Sequence, residues 1–358
     1  ASSVKPLRAL FFLMGVKHKR LIGRIIDWDN LVRAHQLARR GKRDRLEVAH
    51  FEEDLWANLG RLQMELAWGE YRPGRYRSFL IREPKVREIL ALPYRDRVVQ
   101  HAVCNLCAPI WDRAMIPDSY ACRPGKGTHA GADRLQGWLR DMRRASSNPW
   151  FLKMDVSSYF PSIPHSLAKR VVRRKISCPD TLHLIDRIID STAGEDEADP
   201  RGIPVGNLTS QWIANLVGNE IDQWAKRELR LKRYVRYMDD MVVLAWDKDE
   251  LLRIRETFQD KLAELGFEFS KTSVLPTSRG INFLGYRIWH DHRLLRKDSV
   301  VRARRRFKHL QGLYARGLIS VERVRQFVQS WLAHAMHADS FEVRSRIMQE
   351  AVFQRDGL

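Results

Sequence analysis

Cysteine is scarce: four in 358 residues (Cys104, Cys107, Cys122 and Cys178) are too few for a disulfide scaffold and point to a reducing compartment. No apolar run approaches the ~20 residues of a membrane span. The longest, Ala9 to Met14, is also short for a signal sequence and lacks a small-residue cleavage site. Low-complexity tracts are missing, as is any internal repeat of about 20 to 50 residues. Acidic residues are outnumbered, 43 against 63 Lys and Arg, which leaves a net charge of +20. Hydrophobic residues still make up 44%, so a disordered, tail-like chain is excluded. The expectation is a soluble cytosolic protein, long enough for two or three subdomains.

The excess of positive charge favours a polyanionic partner, with nucleic acid first and anionic membrane second. Residues 17–77 read as helix-rich, basic and Trp-bearing, up to the Tyr71-Arg72-Pro73-Gly74 turn signal. Two short apolar runs, Phe79-Leu80-Ile81 and Ile89 to Leu92, flank a charged Pro84-Lys85-Val86-Arg87 tip and read as a β-hairpin. Arg97 to Ile110 is helical in period. Cys104 and Cys107 lie on it without a second pair at zinc-ligand spacing, so they read as core residues. A strand ends at Asp155, residues 165–190 read as a helix, and an acidic stretch follows at Glu195–Asp199. Helical spacing returns from Asn207 to about Leu229 and from 249 to 264, with a strand near Phe267-Glu268-Phe269 and a turn-strand unit over 281–288. The tail from Arg296 is helical, and residues 296–310 carry seven cations and one acid.

Three acids carry chemistry. Tyr234 to Ala245 is apolar on both sides of Met238-Asp239-Asp240, the pattern of a tight hairpin with two carboxylates at its tip. Exposed turn aspartates need no partner, but carboxylates on a buried hairpin do. Side chains alternate along a strand, so only one of Asp239 and Asp240 points straight at a site facing Asp155. Asp239 is expected to share a metal with Asp155, and Asp240 to support them. Two carboxylates plus substrate phosphate oxygens is how Mg²⁺ is usually held. Two such ions about 4 Å apart activate an attacking hydroxyl and stabilise a leaving phosphate oxygen.

Tyr237-Met238-Asp239-Asp240 resembles the metal-binding hairpin of reverse transcriptases, and other blocks occur in that family's order. Lys85 and Arg87 match its fingers hairpin, followed by Asp96-Arg97 and Gln100. Ser119 to Gly127, Asp155 to Phe160, Gly202 to Gln211, Gly266 to Lys271 and Asn282 to Tyr286 match the rest. The resemblance spans roughly residues 15–340. Gly206-Asn207-Leu208-Thr209-Ser210-Gln211, the Arg123–Gly131 run and Gly280–Tyr286 are similar to reverse transcriptases of diversity-generating retroelements. Val205 stands where retroviral and group II intron enzymes usually carry Gln.

The resemblance implies an α+β right-hand polymerase: fingers, an antiparallel palm sheet flanked by helices, and a helical thumb. It assigns residues 1–50 to a basic helical extension, 51–150 to fingers (with part of the palm near 95–115), 151–290 to palm and 291–358 to thumb. It implies an enzyme that copies template RNA with two Mg²⁺ ions and misincorporates at adenines. The implied partners are template RNA, a cDNA or primer strand, dNTPs and a basic, barrel-forming oligomeric accessory protein, with no membrane. The implied setting is the cytoplasm, in a bacterial, archaeal or phage-encoded system. Asp155 and Asp239 would bind metal beside Asp240. Lys85 and Arg87 would close on the triphosphate. Phe160 would exclude a 2′-hydroxyl by bulk, and Lys271 would protonate leaving pyrophosphate. Val205, Ser210 and Gln211 would seat the templating pair. Arg123, Lys126, Arg302, Arg304, Arg305, Arg306 and Lys308 would bind nucleic acid. The Glu195–Asp199 stretch would dock the cationic accessory protein. Too few residues follow the thumb signal for an RNase H domain, and no endonuclease motif is present, so polymerisation without cutting is expected. Residues 1–13 are assigned no function. A group II intron or defence-associated reverse transcriptase is the alternative enzyme, and an idle RNA-binding scaffold the alternative outside enzymes.

Overall fold

Asp27 caps an amphipathic helical segment, its carboxylate accepting from the N–H groups of Asp29 and Asn30. In the computed structural model, which describes residues 17–81, 87–145, 148–193 and 198–355, the N-terminal stretch forms α1 (Ile22–Ile25), α2 (Trp28–Ala38), α3 (Leu46–Glu53) and α4 (Leu55–Ala67). Leu59, Leu62 and Leu66 of α4 are buried along one stripe. The expected hairpin is β1 (Arg77–Ile81) and β2 (Arg87–Ala91), antiparallel from Arg77–Ala91 to Ile81–Arg87. Next come α5 (Tyr94–Ala114), which buries Cys104 and Cys107, and α6 (Thr128–Ala145), which has no counterpart among the sequence expectations. They are followed by β3 (Trp150–Val156), α7 (Tyr159–Ser162), α8 (His165–Arg173), α9 (Pro179–Asp190) and α10 (Leu208–Arg227). The central hairpin, β4 (Tyr234–Tyr237) and β5 (Asp240–Ala245), leads into α11 (Lys248–Glu264) and β6 (Phe269–Pro276). A meander, β7 (Ile281–Phe283), β8 (Tyr286–Ile288) and β9 (Arg293–Leu295), precedes α12 (Lys297–Ala315), α13 (Val321–Ala335) and α14 (Phe341–Glu350).

Two expectations are corrected. The single helix over 165–190 is two, because Pro179 opens a new helix at its first position and has no N–H to continue the old one. The connecting backbone pairs instead with His18, whose N–H donates to Lys175 and whose carbonyl accepts from Ser177. The strand near Phe267–Phe269 starts only at Phe269 and runs to Pro276. Phe267 is buried, its N–H donating to the Leu262 carbonyl as α11 ends.

The chain divides into two compact units. One comprises residues up to Ile116, Ser157–Trp224 and Leu262–Glu268; the other Pro117–Val156, Ala225–Lys261 and the chain from Phe269 onward. The first is helical apart from the β1–β2 hairpin. There Asn30 ties α2 to α5, donating to the Ala102 carbonyl and accepting from Asn105. The second holds an antiparallel sheet in the order β4-β5-β3-β6 and the meander β7-β8-β9. Its core brings Leu135, Leu139 and Met142 of α6 together with Phe151, Val242 and Phe283. Among the described residues no helix is long and apolar enough to cross a membrane.

Candidate active site

Along β3 the side chains alternate. Leu152, Met154 and Val156 are buried, while Lys153 and Asp155 occupy the other, half-buried face. Asp155 is paired with Asp240 of β5 on one side and with Lys271 of β6 on the other. Directly opposed residues share a face, so two acids and a cation form one row across three strands. The register of β3 against β6 shifts immediately after Asp155, between it and Val156.

Each carboxylate in the row has an identified partner. Asp155 Oδ1 accepts a 2.6 Å hydrogen bond from the Ser270 hydroxyl. Lys153 Nζ lies 2.5 and 2.6 Å from the two oxygens of Asp240. Burial pushes the Asp240 carboxyl up to about 6; the Lys153 ammonium opposes this, and the negative charges of Asp155 and Asp239 add to it. The register therefore places Asp240, rather than Asp239, directly across from Asp155, with its charge taken up by Lys153. Asp239 sits on the two-residue turn between β4 and β5, where its carbonyl accepts from the Val156 N–H at 3.2 Å.

Asp155 and Asp240 stand at the ends of the two central strands and Asp239 on the adjoining turn, so three carboxylates gather at one end of the sheet. Among the described residues no group of three or more His, Cys, Asp or Glu is arranged to hold a metal unaided. Mg²⁺ suits a donor set of this kind, since it takes one or two carboxylates and fills its shell with water and substrate phosphate oxygens.

The remaining predicted residues lie elsewhere. In the first unit, Phe160 is half-buried on α7, edge-on to Tyr159, and its carbonyl accepts from Ile203. Val205 is half-buried, Ser210 is buried on the first turn of α10, and Gln211 is half-buried beside it. Gly206 has a φ of +110°, and a Cβ there would stand 3.2 Å from Ile89, so the loop before α10 requires glycine. Lys85 and the acids Glu195, Asp196 and Glu197 lie outside the described residues, and Arg87 opens β2. Asp199 accepts from the backbone and hydroxyl of Ser166.

In the second unit, Lys271 is exposed on β6. Arg304, Arg305, Arg306 and Lys308 are exposed on α12; Arg302 is half-buried and donates to Ser299. Arg304 lies 3.6 Å from Glu350. Arg123 donates to the Ser119 carbonyl and Lys126 to that of Pro117, so both cations also fasten their own loop.

Residues 82–288 match the family model described as reverse transcriptase (RNA-dependent DNA polymerase). The chain belongs to this reverse transcriptase family. It is similar to protein YkfC of Escherichia coli (strain K12), 28% identical over 68% of this chain and 73% of that protein. It is also similar to the retron Ec73 reverse transcriptase of Escherichia coli, 28% identical over 43% of this chain and 52% of that one. A putative COX1/OXI3 intron 1 protein of Saccharomyces cerevisiae is 23% identical over 64% of this chain. The match spans about a third of that intron protein's own length and about half of the retron enzyme's. Apo telomerase from Candida tropicalis shares the fold, with a TM-score of 0.50 at 11% identity, over 77% of this chain and 59% of telomerase.

Two residues that touch this reverse transcriptase's carboxylates, Lys153 and Ser270, carried no role in the motif reading. Lys153 stands two residues before Asp155, and strand period alone puts it on the same face. Ser270 is legible only as the neighbour of Lys271. In the first unit, Gln100 accepts from the Leu208 N–H at the start of α10, and Asn207 donates to the Tyr76 hydroxyl. The matching block includes Gln100, but its role at the α10 terminus depends on a contact more than a hundred residues away in sequence.

Proposed function

We propose that this reverse transcriptase copies template RNA into DNA by two-metal nucleotidyl transfer at the Asp155–Asp239 end of the β4-β5-β3-β6 sheet. The observation that carries this reading is the row of Asp240, Asp155 and Lys271, with Asp239 on the adjoining turn. Two Mg²⁺ ions, when bound, activate the primer hydroxyl and stabilise the leaving pyrophosphate. Asp155 and Asp239 are the residues that would hold them. Ser270 orients the Asp155 carboxylate. Lys153 compensates the charge of Asp240 and limits repulsion among the three acids. Lys271 is assigned to proton donation toward pyrophosphate, Lys85 and Arg87 to the triphosphate, and Phe160 to sugar selection. Val205, Ser210 and Gln211 are assigned to the templating pair. The exposed cations of α12 are assigned to the duplex backbone, as are Arg123 and Lys126. Mg²⁺-dependent extension of oligo-dT on poly-rA tests the activity; no extension by folded protein overturns it.

Within the family we assign the chain to the diversity-generating retroelements, supported by the Gly206–Gln211 block, the Arg123–Gly131 and Gly280–Tyr286 runs, and Val205. That assignment brings a basic, barrel-forming accessory protein as partner. The likeness to an intron protein and a retron enzyme favours a second reading, a group II intron- or retron-type reverse transcriptase. Fidelity separates them. A retroelement enzyme concentrates errors at template adenines, and an even error spectrum favours the second reading. Val205 offers methyl groups where Gln would offer a hydrogen bond to the incoming sugar or nascent pair. A contact of about 1.4 kcal/mol alters selectivity tenfold. Val205→Gln is therefore expected to lower adenine errors about tenfold with extension intact, read by sequencing the cDNA. An unchanged adenine error rate removes Val205 from the role.

A further inference from the structure

The turn that presents Asp239 is built on a backbone conformation its sequence does not favour. Register pairs Tyr237 with Asp240, leaving Met238 and Asp239 as a two-residue loop. Such loops require a residue at positive φ and usually take Gly, Asn or Asp there. Here Met238 takes it, at +54°. An L side chain in that region persists only where its surroundings over-determine it.

The surroundings centre on Arg236. It is among the largest fully buried side chains, 1% exposed, which is unusual for a guanidinium. Its Nη1 donates to the Met238 carbonyl at 3.0 Å, and its Nη2 donates to the Ser119 hydroxyl at 3.2 Å. The backbone repeats the link: Arg236 N–H donates to the Asp118 carbonyl, and its own carbonyl accepts from Tyr120. Asp118 is anchored in turn, with Arg134 of α6 at 2.9 Å and Lys226 at 3.0 Å from its two oxygens. A continuous polar chain thus runs from α6 through Asp118 and Ser119 to the peptide immediately before Asp239. A planar guanidinium presents its donors in a rigid fork that spans the carbonyl and the hydroxyl at once, whereas an ammonium is a single point of contact on a flexible stem.

We propose that Arg236 is a positioning residue for nucleotidyl transfer: by holding the Met238 carbonyl against Ser119 it fixes the left-handed turn and so aims Asp239 at the metal end of the sheet. The inference rests on the two-metal reading above. Arg236 touches neither substrate nor metal in this role. It lowers the cost of organising the carboxylate when cation and nucleotide bind.

The test is single-nucleotide extension by the full chain across a Mg²⁺ titration, with Arg236→Met, Arg236→Lys, Ser119→Ala and Asp239→Asn compared with wild type. Loss of an orienting partner behind a metal ligand typically costs 10- to 100-fold in affinity or activity, so Arg236→Met is expected to lose at least about tenfold in kcat. It is also expected to need several-fold more Mg²⁺ for half-maximal rate while the dNTP KM barely moves. Arg236→Lys, which keeps the charge and one donor nitrogen, is expected to recover part of both. If Arg236→Met fails to fold, Ser119→Ala, which removes only the second contact, is expected to show the same shift in Mg²⁺ requirement on a smaller scale. Folded variants with wild-type kcat and Mg²⁺ requirement overturn the proposal. Activity lost only in proportion to folded protein overturns it equally. An active Asp239→Asn shows instead that the two-metal reading fails; an inactive one beside a wild-type-like Arg236→Met shows that the brace alone fails.

Discussion

Asp155→Asn and Asp239→Asn are each expected to reduce primer extension by about three orders of magnitude or more while leaving the fold intact. The size follows from what a neutral amide cannot do. It matches the carboxylate in shape but contributes no charge to a divalent ion, and the ion's field is what stabilises the developing negative charge. Stability is spared for a separate reason. In Asp155→Asn the amide oxygen can still accept from the Ser270 hydroxyl, as the carboxylate does at 2.6 Å in the native chain. Removing one negative charge also relieves repulsion on Asp240, whose carboxyl the charges of Asp155 and Asp239 help to push up to about 6. Thermal unfolding together with single-nucleotide extension reads both halves of the expectation. Retention of more than about a tenth of wild-type extension by either variant would remove these residues from the metal site, since a lost ligand costs far more than the 1.4 kcal/mol that tenfold represents.

Phe160→Ala is expected to admit ribonucleotides, lowering dNTP-over-rNTP discrimination by at least about tenfold, or about 1.4 kcal/mol of differential transition-state binding. The ring is half-buried and stands edge-on to Tyr159. The neighbouring backbone does not depend on it, because the Phe160 carbonyl accepts from Ile203 whatever the side chain. Substitution therefore opens space without unfastening α7. The ratio of kcat/KM for a matched dNTP and rNTP measures the effect, and an unchanged ratio with extension retained assigns sugar selection elsewhere.

Local periodicity accounts for most of what was legible beforehand. The expected helix over 249–264 is Lys248–Glu264, and the expected hairpin around Met238-Asp239-Asp240 is the β4–β5 pair. In both, the residues that define the element are neighbours in sequence, so a 3.6-residue or two-residue period is sufficient. The same logic fails at 165–190, where apolar spacing continues across a break. Pro179 and the backbone bonds to His18 decide the matter there, and His18 is far away in sequence.

Family membership was legible in ordered blocks whose residue types are dictated by phosphate, sugar and metal chemistry, and the same blocks singled out Asp155, Asp239 and Asp240 as the candidate metal-site acids. How these acids divide their surroundings emerged only from the folded chain. That Asp240 faces Asp155 and is matched by Lys153, that Ser270 holds Asp155, and that Arg236 braces the turn through Ser119 all follow from strand register and from segments brought together across the second unit. A one-residue slip of β5 against β3 would carry its side chains to the opposite face without changing a letter of the motif. Register is set by the summed burial of Met154, Met241, Val242 and their neighbours, a property of the packed sheet that no short motif contains.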